Sequence, residues 1–355
     1  MNFQPSTDLW RYLQNTNKTV VLYGMGNGAD KILHVCDRYG ITVSDVFASD
    51  GFVRGHSYRG REVLSYSAVK EKYGAENLIV LLSFASSLPH VLSLFDRIAA
   101  ECELYAPDVP VCGDTLFTLE FFEKNRAHFE RVYDLLADEE SKKIFECVLG
   151  YKLSGKIDLL RAVESSKDEV YHRLLNASVI RSAADLGAYN GDTVRELMTY
   201  APDLTSVYAF EPDRRNHRKL SDFAASLSTP KVHALHAAAW SERGILTVSD
   251  SGNRNAGAYA KGKSVDVDAL SLDEVLNGTP VDYVKYDVEG AEKEALTGSR
   301  QTILAHHPKL LVSVYHRSED LFALPLQIHA MDPSYRFYLR RYPYVPAWDL
   351  NLICL

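Results

Sequence analysis

Cysteine is scarce in this chain, and the five present (Cys36, Cys102, Cys112, Cys147 and Cys354) are scattered with no Cys-x-x-Cys pair. That excludes a disulfide framework and argues against a zinc site. Runs of Lys or Arg are also missing, and the net charge is −8. Broad nucleic-acid binding needs a basic footprint, so no nucleic-acid partner is expected. Long apolar runs are equally lacking. The longest, residues 78–95, is broken by serines, Pro89 and His90 and is too interrupted to span a membrane. Residues 1–8 lack the basic and apolar segments of a signal peptide, and a cytoplasmic location is the expectation. A length of 355 residues predicts two domains, each large enough for its own core.

What the chain does contain is α/β alternation, centred just past its middle. Residues 177–184 read as a buried parallel strand, and Asp185-Leu-Gly-Ala-Tyr-Asn-Gly-Asp192 follow as a turn. Val194, Leu197 and Met198 then recur at helical spacing. Strand, glycine-bearing turn and helix in that order make the nucleotide-binding corner of a doubly wound domain. Gly187 is expected to permit the tight turn, and Gly191 to let a ligand approach where a Cβ would collide. A dinucleotide site wants glycines at the first, third and sixth positions. Counted from Gly187, the third is Tyr189 and the sixth is Asp192. A carboxylate there repels a pyrophosphate. Asp185 at the strand end, before a turn poor in glycine, better suits a cationic ligand such as S-adenosylmethionine, which carries an ammonium and a sulfonium. The next strand, residues 206–210, delivers Glu211-Pro212-Asp213. Glu211 stands 24 positions after Gly187 (211 − 187), the spacing at which an acid meets ribose hydroxyls. The plain alternative is an ordinary α/β turn with a chance acid.

A second corner lies near the start. Residues 19–23 read as a strand, Gly24, Gly26 and Ala29 satisfy G-x-G-x-x-G/A, and a helix with Ile32, Leu33, Val35 and Cys36 follows. With strands at 44–48, 77–82 and 102–105, residues 1–112 form a small Rossmann-like domain. Two readings stay open for it. One is a nucleotide or nucleotide-sugar site at Gly24–Ala29; the other is a degenerate unit that packs against the rest of the chain or forms a homodimer. Residues 113–175 are helical in pattern, with Thr118 and Asp138 placed as helix starts. Their aromatic stripe (Phe117, Phe121, Phe122, Phe129, Tyr133) reads as core, and Tyr151, Lys152 and Lys156 are the side chains expected to approach the site.

Residues 176–355 continue the alternation as a third region. Strands are expected at 232–239 and, as an edge, at 245–248; residues 250–263 read as a loop and 270–276 as a helix. Residues 281–286 then run as a strand into Asp287, Val288, Glu289 and Gly290. Alternation places Lys285, Asp287 and Glu289 on one side, and Gly290 frees the turn into a helix over 292–304. Charges in a hydrophobic strand are costly unless paired or functional; a Lys–Asp pair with a helix cap is the structural alternative. Residues 309–314 deliver Tyr315, His316 and Arg317 to the same edge. Strands at 335–340 and 349–354 suggest a closing hairpin with an antiparallel edge strand.

Taken in order, Asp185-Leu-Gly-Ala-Tyr-Asn-Gly-Asp-Thr193, Phe210-Glu-Pro-Asp213, Leu272-Asp-Glu274 and Lys285-Tyr-Asp-Val-Glu-Gly-Ala-Glu292 resemble the FkbM family of S-adenosylmethionine-dependent methyltransferases. The resemblance covers residues 177–355, half the chain. It implies a seven-stranded Rossmann-like sheet with the last strand antiparallel. It also implies O-methylation of a hydroxyl on a sugar, glycan or secondary metabolite, so that the partner is a small-molecule or glycan acceptor. By motif position Asp185, Gly187, Tyr189, Asn190, Gly191 and Asp192 would hold the methionine half of S-adenosyl-L-methionine. Glu211 and Pro212 would hold the ribose, and Ala238 and Ala239 would lie near the adenine. Asp287, Glu289 and His316 are the candidates for base or substrate orienter, with Lys285 tuning them. Acids and a histidine also suit a divalent metal, but no metal ligand set is assigned.

Overall fold

Six short strands open the chain: β1 (Thr19–Tyr23), β2 (Val43–Ala48), β3 (Ser57–Tyr58), β4 (Arg61–Ser65), β5 (Leu78–Leu82) and β6 (Glu103–Tyr105). In the computed structural model, which describes residues 1, 3–53, 55, 57–250 and 263–355, they form one sheet in the order β3-β4-β2-β1-β5-β6. All pairs are parallel except β3–β4. β1 and β5 are buried almost throughout, as strands covered on both faces must be. Helix Asn27–Tyr39 begins at Gly26 and ends at Gly40, which takes the left-handed conformation that stops a helix.

The helical region follows as Leu119–Leu135 and Glu139–Ser154, capped by Thr118 and Asp138. Each cap side chain accepts from a backbone N–H three residues on, which settles one otherwise orphaned donor. The aromatic stripe is core: Phe117, Phe122, Phe129 and Phe145 are fully buried. Phe129 also packs edge-on against Phe322 at 5.0 Å, so one hydrophobic cluster runs from the first sheet through these helices into the second sheet. Tyr151 and Lys152 do not approach the site. Tyr151 is buried and Lys152 pairs with Asp108 at 3.1 Å, while Lys156 lies beside Glu103 and Tyr105 on another face.

The second half holds β7 (Ser182–Leu186), β8 (Ser206–Phe210), β9 (Lys231–Leu235), β10 (Ala238–Ala239), β11 (Gly244–Asp250), β12 (Lys263–Leu270), β13 (Tyr283–Tyr286), β14 (Lys309–Ser313), β15 (Phe337–Arg341) and β16 (Leu350–Cys354). Seven of them form a sheet in the order β15-β16-β14-β13-β7-β8-β9. β16, the last in sequence, runs antiparallel to both neighbours. The expected closing hairpin is present: β16 inserts between β14 and β15, and β15 is the edge strand, antiparallel to β16. β15 can be outermost because helix Glu139–Ser154 covers it: Ser141 Oγ accepts from Leu339 N at 2.9 Å, and Arg340 pairs with Asp138 at 2.7 Å.

Four other expectations shift. The run at 177–184 is a 3-10 turn at Ala177–Val179 followed by β7, because Asn176 adopts the left-handed conformation and leaves Val179 exposed. The strand expected at 232–239 divides, β9 joining the large sheet and β10 pairing with β12. β12 itself, whose Val265, Val267 and Ala269 alternate with polar residues, lies partly where loop and helix are expected; the helix runs only Leu272–Leu276. The loop's residues 251–262 lie outside the described residues. The helix expected over 292–304 is two, Glu292–Thr297 and Arg300–His306. They break at Gly298, where a Cβ would stand 1.9 Å from the carbonyl oxygen of Trp240. Among the described residues no helix is long and apolar enough to cross a membrane.

Candidate active site

The carboxyl ends of β7, β8 and β13 meet at one edge of the large sheet, where doubly wound folds bind ligands. Two backbones touch there: a Cβ on Gly187 would stand 1.9 Å from the carbonyl oxygen of Asp287, and Gly187 has φ +98°. Only glycine lets the β7 turn nest against the end of β13. Gly191 serves differently from the expectation. Its φ is +85° at the start of helix Asp192–Tyr200, and a Cβ there would meet the ring of Phe223 at 2.6 Å rather than ligand space.

A cavity of about 220 Å³ opens at this edge, and its walls include Gly187, Tyr189, Asp192, Glu211, Pro212, Ala238 and Ala239 with Lys285, Asp287 and Glu289. Ten predicted residues are thus brought together. Asn190 and Gly191 are not among the walls, and Asp185 stands behind them. Asp185 is 5% exposed and accepts from Thr193 Oγ1. Lys285 Nζ lies 3.5 Å from Asp185 and 3.3 Å from Asp287. Asp185 is thus paired with Lys285 behind the cavity wall. Burial raises the Asp185 carboxyl above its ordinary range despite Lys285. Lys285 is itself held well above the ammonium's usual value, burial being outweighed by the two carboxylates.

Glu211 is 6% exposed and lines the cavity. One of its oxygens accepts from the backbone N–H of Asp213 at 2.8 Å. Burial, against the backbone donors of Asp213 and Tyr189, raises it to about 7. A carboxyl held by its own turn, with the cavity before it, suits paired hydroxyls.

At the far side of the cavity Asp287, Glu289, Glu292 and His316 form an ionic cluster. His316 is fully buried. Its Nδ1 lies 2.9 Å from Glu292, and its Nε2 lies 3.6 Å from both Asp287 and Glu289. Burial lowers the imidazole, but Glu292, Glu289 and Asp287 outweigh it and raise it to about 10. The surrounding carboxylates thus favour the protonated imidazolium of His316. Burial raises Asp287, yet Lys285 and His316 bring it below the ordinary range. Glu289 goes the other way, to about 7, burial prevailing over His316. Glu289 also has φ +53°, a conformation a non-glycine residue keeps only when its surroundings impose it. Asp287, Glu292 and His316 present ligand atoms within 4.8 Å of one another, and His316 is paired with both acids.

Sequence reasoning missed Tyr315, whose hydroxyl donates to Asp287 at 3.2 Å, and Thr193, Asn216, Trp240 and Leu246 on the walls. Tyr315 and Thr193 stood beside predicted residues and were legible from position. Trp240 and Leu246 reach the cavity only because β10 and β11 leave the main sheet. Glu292 was read as helix; it is 1% exposed and accepts from the backbone N–H of Val288 at 2.9 Å, which shapes the turn carrying Glu289. At the early corner, a Cβ on Gly24 would meet Phe84 at 2.6 Å, and one on Gly28 would meet the carbonyl oxygen of Ser83 at 2.2 Å. Packing of the chain leaving β5 accounts for these two glycines without a ligand.

The seven-stranded sheet with its inserted antiparallel last strand, and the acid-lined cavity at its carboxyl edge, define a Rossmann-like methyltransferase fold. Residues 185–345 match the methyltransferase FkbM domain. The whole chain is similar in fold to a methyltransferase FkbM from Methylobacillus flagellatus KT, with 21% identity and a TM-score of 0.74 over 98% of this chain and 92% of that one. Two further likenesses are to an rRNA methylase from Streptococcus thermophilus (13% identity, TM-score 0.36, 54% of this chain and 96% of that one) and to Aeropyrum pernix fibrillarin in complex with S-adenosyl-L-methionine (12%, 0.32, 53% and 76%). No curated protein matches the chain.

Proposed function

We propose that the protein is an S-adenosylmethionine-dependent O-methyltransferase acting on a hydroxyl of a sugar, glycan or secondary metabolite. The observation that carries this reading is the pairing, in one cavity, of buried Glu211 at one end with Glu289 and the Lys285–Asp287 pair at the other. The residues fit the cofactor. Glu211 would take the ribose hydroxyls, Ala238 and Ala239 would pack beside the adenine, and Asp192 and Asp287 would offset positive charge. When bound, S-adenosylmethionine supplies an electrophilic methyl group and leaves as a neutral thioether.

The chain's own task is alignment and proton removal. A sugar hydroxyl is a poor nucleophile, so a positioned base must accept its proton as the new C–O bond forms. Glu289, at about 7, is ionised enough to accept that proton and basic enough to keep it. Lys285 and His316 lower Asp287, and the carboxylates around His316 favour its protonated form, so both are less suited to accept the proton. Those two groups hold the field around Glu289, and Tyr315 orients Asp287 through its hydrogen bond.

The test is calorimetric titration of the full chain with S-adenosylmethionine, repeated on Glu211→Ala, with NADH and UDP-glucose in parallel. Binding of the methyl donor that is lost in the variant supports the reading. Binding of NADH or UDP-glucose without binding of the donor would overturn it and return attention to Gly24–Ala29.

A further inference from the structure

A second cavity, of about 450 Å³, adjoins the first, and the two share Lys285, Asp287, Glu289 and Tyr315 as a common wall. A group in the second cavity therefore also borders the proposed base. Its other walls come from several separate parts of the chain, among them Glu196 of helix Asp192–Tyr200 and Leu311 of β14. Ser87 and Val111 belong to loops of the first sheet, Tyr171 to the helical region, and Tyr344, Trp348 and Asp349 to the turn between β15 and β16.

These parts are tied together. Ser86 and Val345 exchange two backbone hydrogen bonds, of 2.9 and 3.0 Å. The Cys112 N–H donates to the carbonyl oxygen of His316 at 3.0 Å, and its thiol donates to that of Glu289 at 2.9 Å. The first unit thus buttresses the turn that carries Glu289 and closes one side of the second cavity.

Two features of the wall stand out. Tyr342, a residue 4% exposed, lines the cavity, and its buried hydroxyl has no hydrogen-bond partner among the described residues. Asp349 is held with φ +62°, and its carboxylate accepts from the Asn351 side-chain amide at 3.1 Å. Among the described residues no cation lies within ion-pair distance of it. Lys167, the nearest in its field, is already engaged with Glu196 at 2.7 Å. A buried donor–acceptor without a partner and a sheltered carboxylate without a counter-ion are both costly. A ligand offering a cation beside Asp349 would relieve the second. Tyr171, Tyr344 and Trp348 add flat apolar faces, which suit the apolar face of a pyranose ring.

Resting on the methyl-transfer reading above, we propose that the second cavity is the acceptor site, that it selects a sugar bearing a protonated amino group, and that the N-terminal unit serves to complete it. Asp349 pairs with the ammonium, and the hydroxyl to be methylated faces Glu289. The transfer forms the methyl C–O bond and breaks the methyl C–S bond, and the hydroxyl proton goes to the Glu289 carboxylate.

The probe is a glucosamine tetramer, compared by saturation-transfer NMR and calorimetry with its fully N-acetylated counterpart, with and without saturating S-adenosylhomocysteine. The free amine is expected to bind at least about tenfold more tightly than the acetylated form at low salt. Asp349→Asn, which keeps a residue tolerant of positive φ, should reduce that preference below about threefold and leave S-adenosylhomocysteine binding unchanged. Trp348→Leu should weaken both sugars alike. Equal binding of the two tetramers, binding of neither, or an undiminished preference in Asp349→Asn would overturn the proposal. Loss of S-adenosylhomocysteine binding in the unaltered protein would instead overturn the cofactor reading, while the sugar arms still judge this one.

Discussion

Replacing Glu211 by glutamine separates its cost to the fold from its use in binding. The carboxyl moves from an ordinary 4.5 to about 7 in the folded chain, chiefly through burial. The folded value is the higher, so protonation favours folding. The stabilising contribution is complete below about pH 4.5 and is lost as pH rises through about 7. The difference, 7 − 4.5 or about 2.5 units, corresponds to at most about 3.4 kcal/mol at 1.36 kcal/mol per unit. Glutamine cannot ionise and still accepts from Asp213 N, so the variant escapes this loss. An unfolding entropy of about 2.1 cal/mol/K per residue gives about 0.75 kcal/mol/K for this chain, so 3 kcal/mol raises Tm by about 4 °C. Differential scanning fluorimetry of both proteins from pH 4.5 to 8 should show coincident Tm values at the acid end. A gap should open to about 4 °C by pH 7.5. Glu289 and Asp320, also raised by burial, are common to both proteins and cancel in the difference. The same variant should bind S-adenosylmethionine far more weakly. A gap of constant size at every pH would mean a packing effect and refute the electrostatic argument, as would a variant less stable at pH 8.

Other outcomes follow from the same geometry. Glu289→Gln should lower methyl transfer by about 10²- to 10⁴-fold, keep cofactor binding, and abolish the rise of kcat/KM through about pH 7; a retained limb would assign the base elsewhere. Lys285→Met leaves Asp185 and Asp287 buried without their cation and should cost about 3–5 kcal/mol in urea unfolding, part of which Asp185→Asn should restore. Gly187→Ala drives a Cβ into the Asp287 carbonyl and should prevent stable folding. Gly26→Ala, where nothing stands within 4 Å, should cost only the strain of its φ +99°, ψ −159° backbone, which glycine alone adopts readily, about 1–3 kcal/mol, measured by the same unfolding curves.

Much of the fold lay in local pattern. Thr118 and Asp138 cap their helices, β1 and β5 are the apolar runs they resemble, and Gly187 sits where strand turns to helix, because caps, burial on both faces and positive φ are demands of near neighbours in the chain. Charge placement at strand ends also carried Glu211, Asp287 and Glu289 to one cavity, since parallel strands deliver their carboxyl ends to a common edge. The role of each acid was not legible. Asp185 is paired with Lys285, one strand away, and Glu292 and Glu289 close on the two nitrogens of His316, pairings that no local pattern shows. The place of β16 between β14 and β15 depends on a helix some 200 positions earlier covering β15. The second cavity, walled by residues from 87 to 351, exists only in the assembled molecule. Sequence determines what each segment prefers; which charges share a low-dielectric space, and so what each can do, is set by packing between segments distant in the chain.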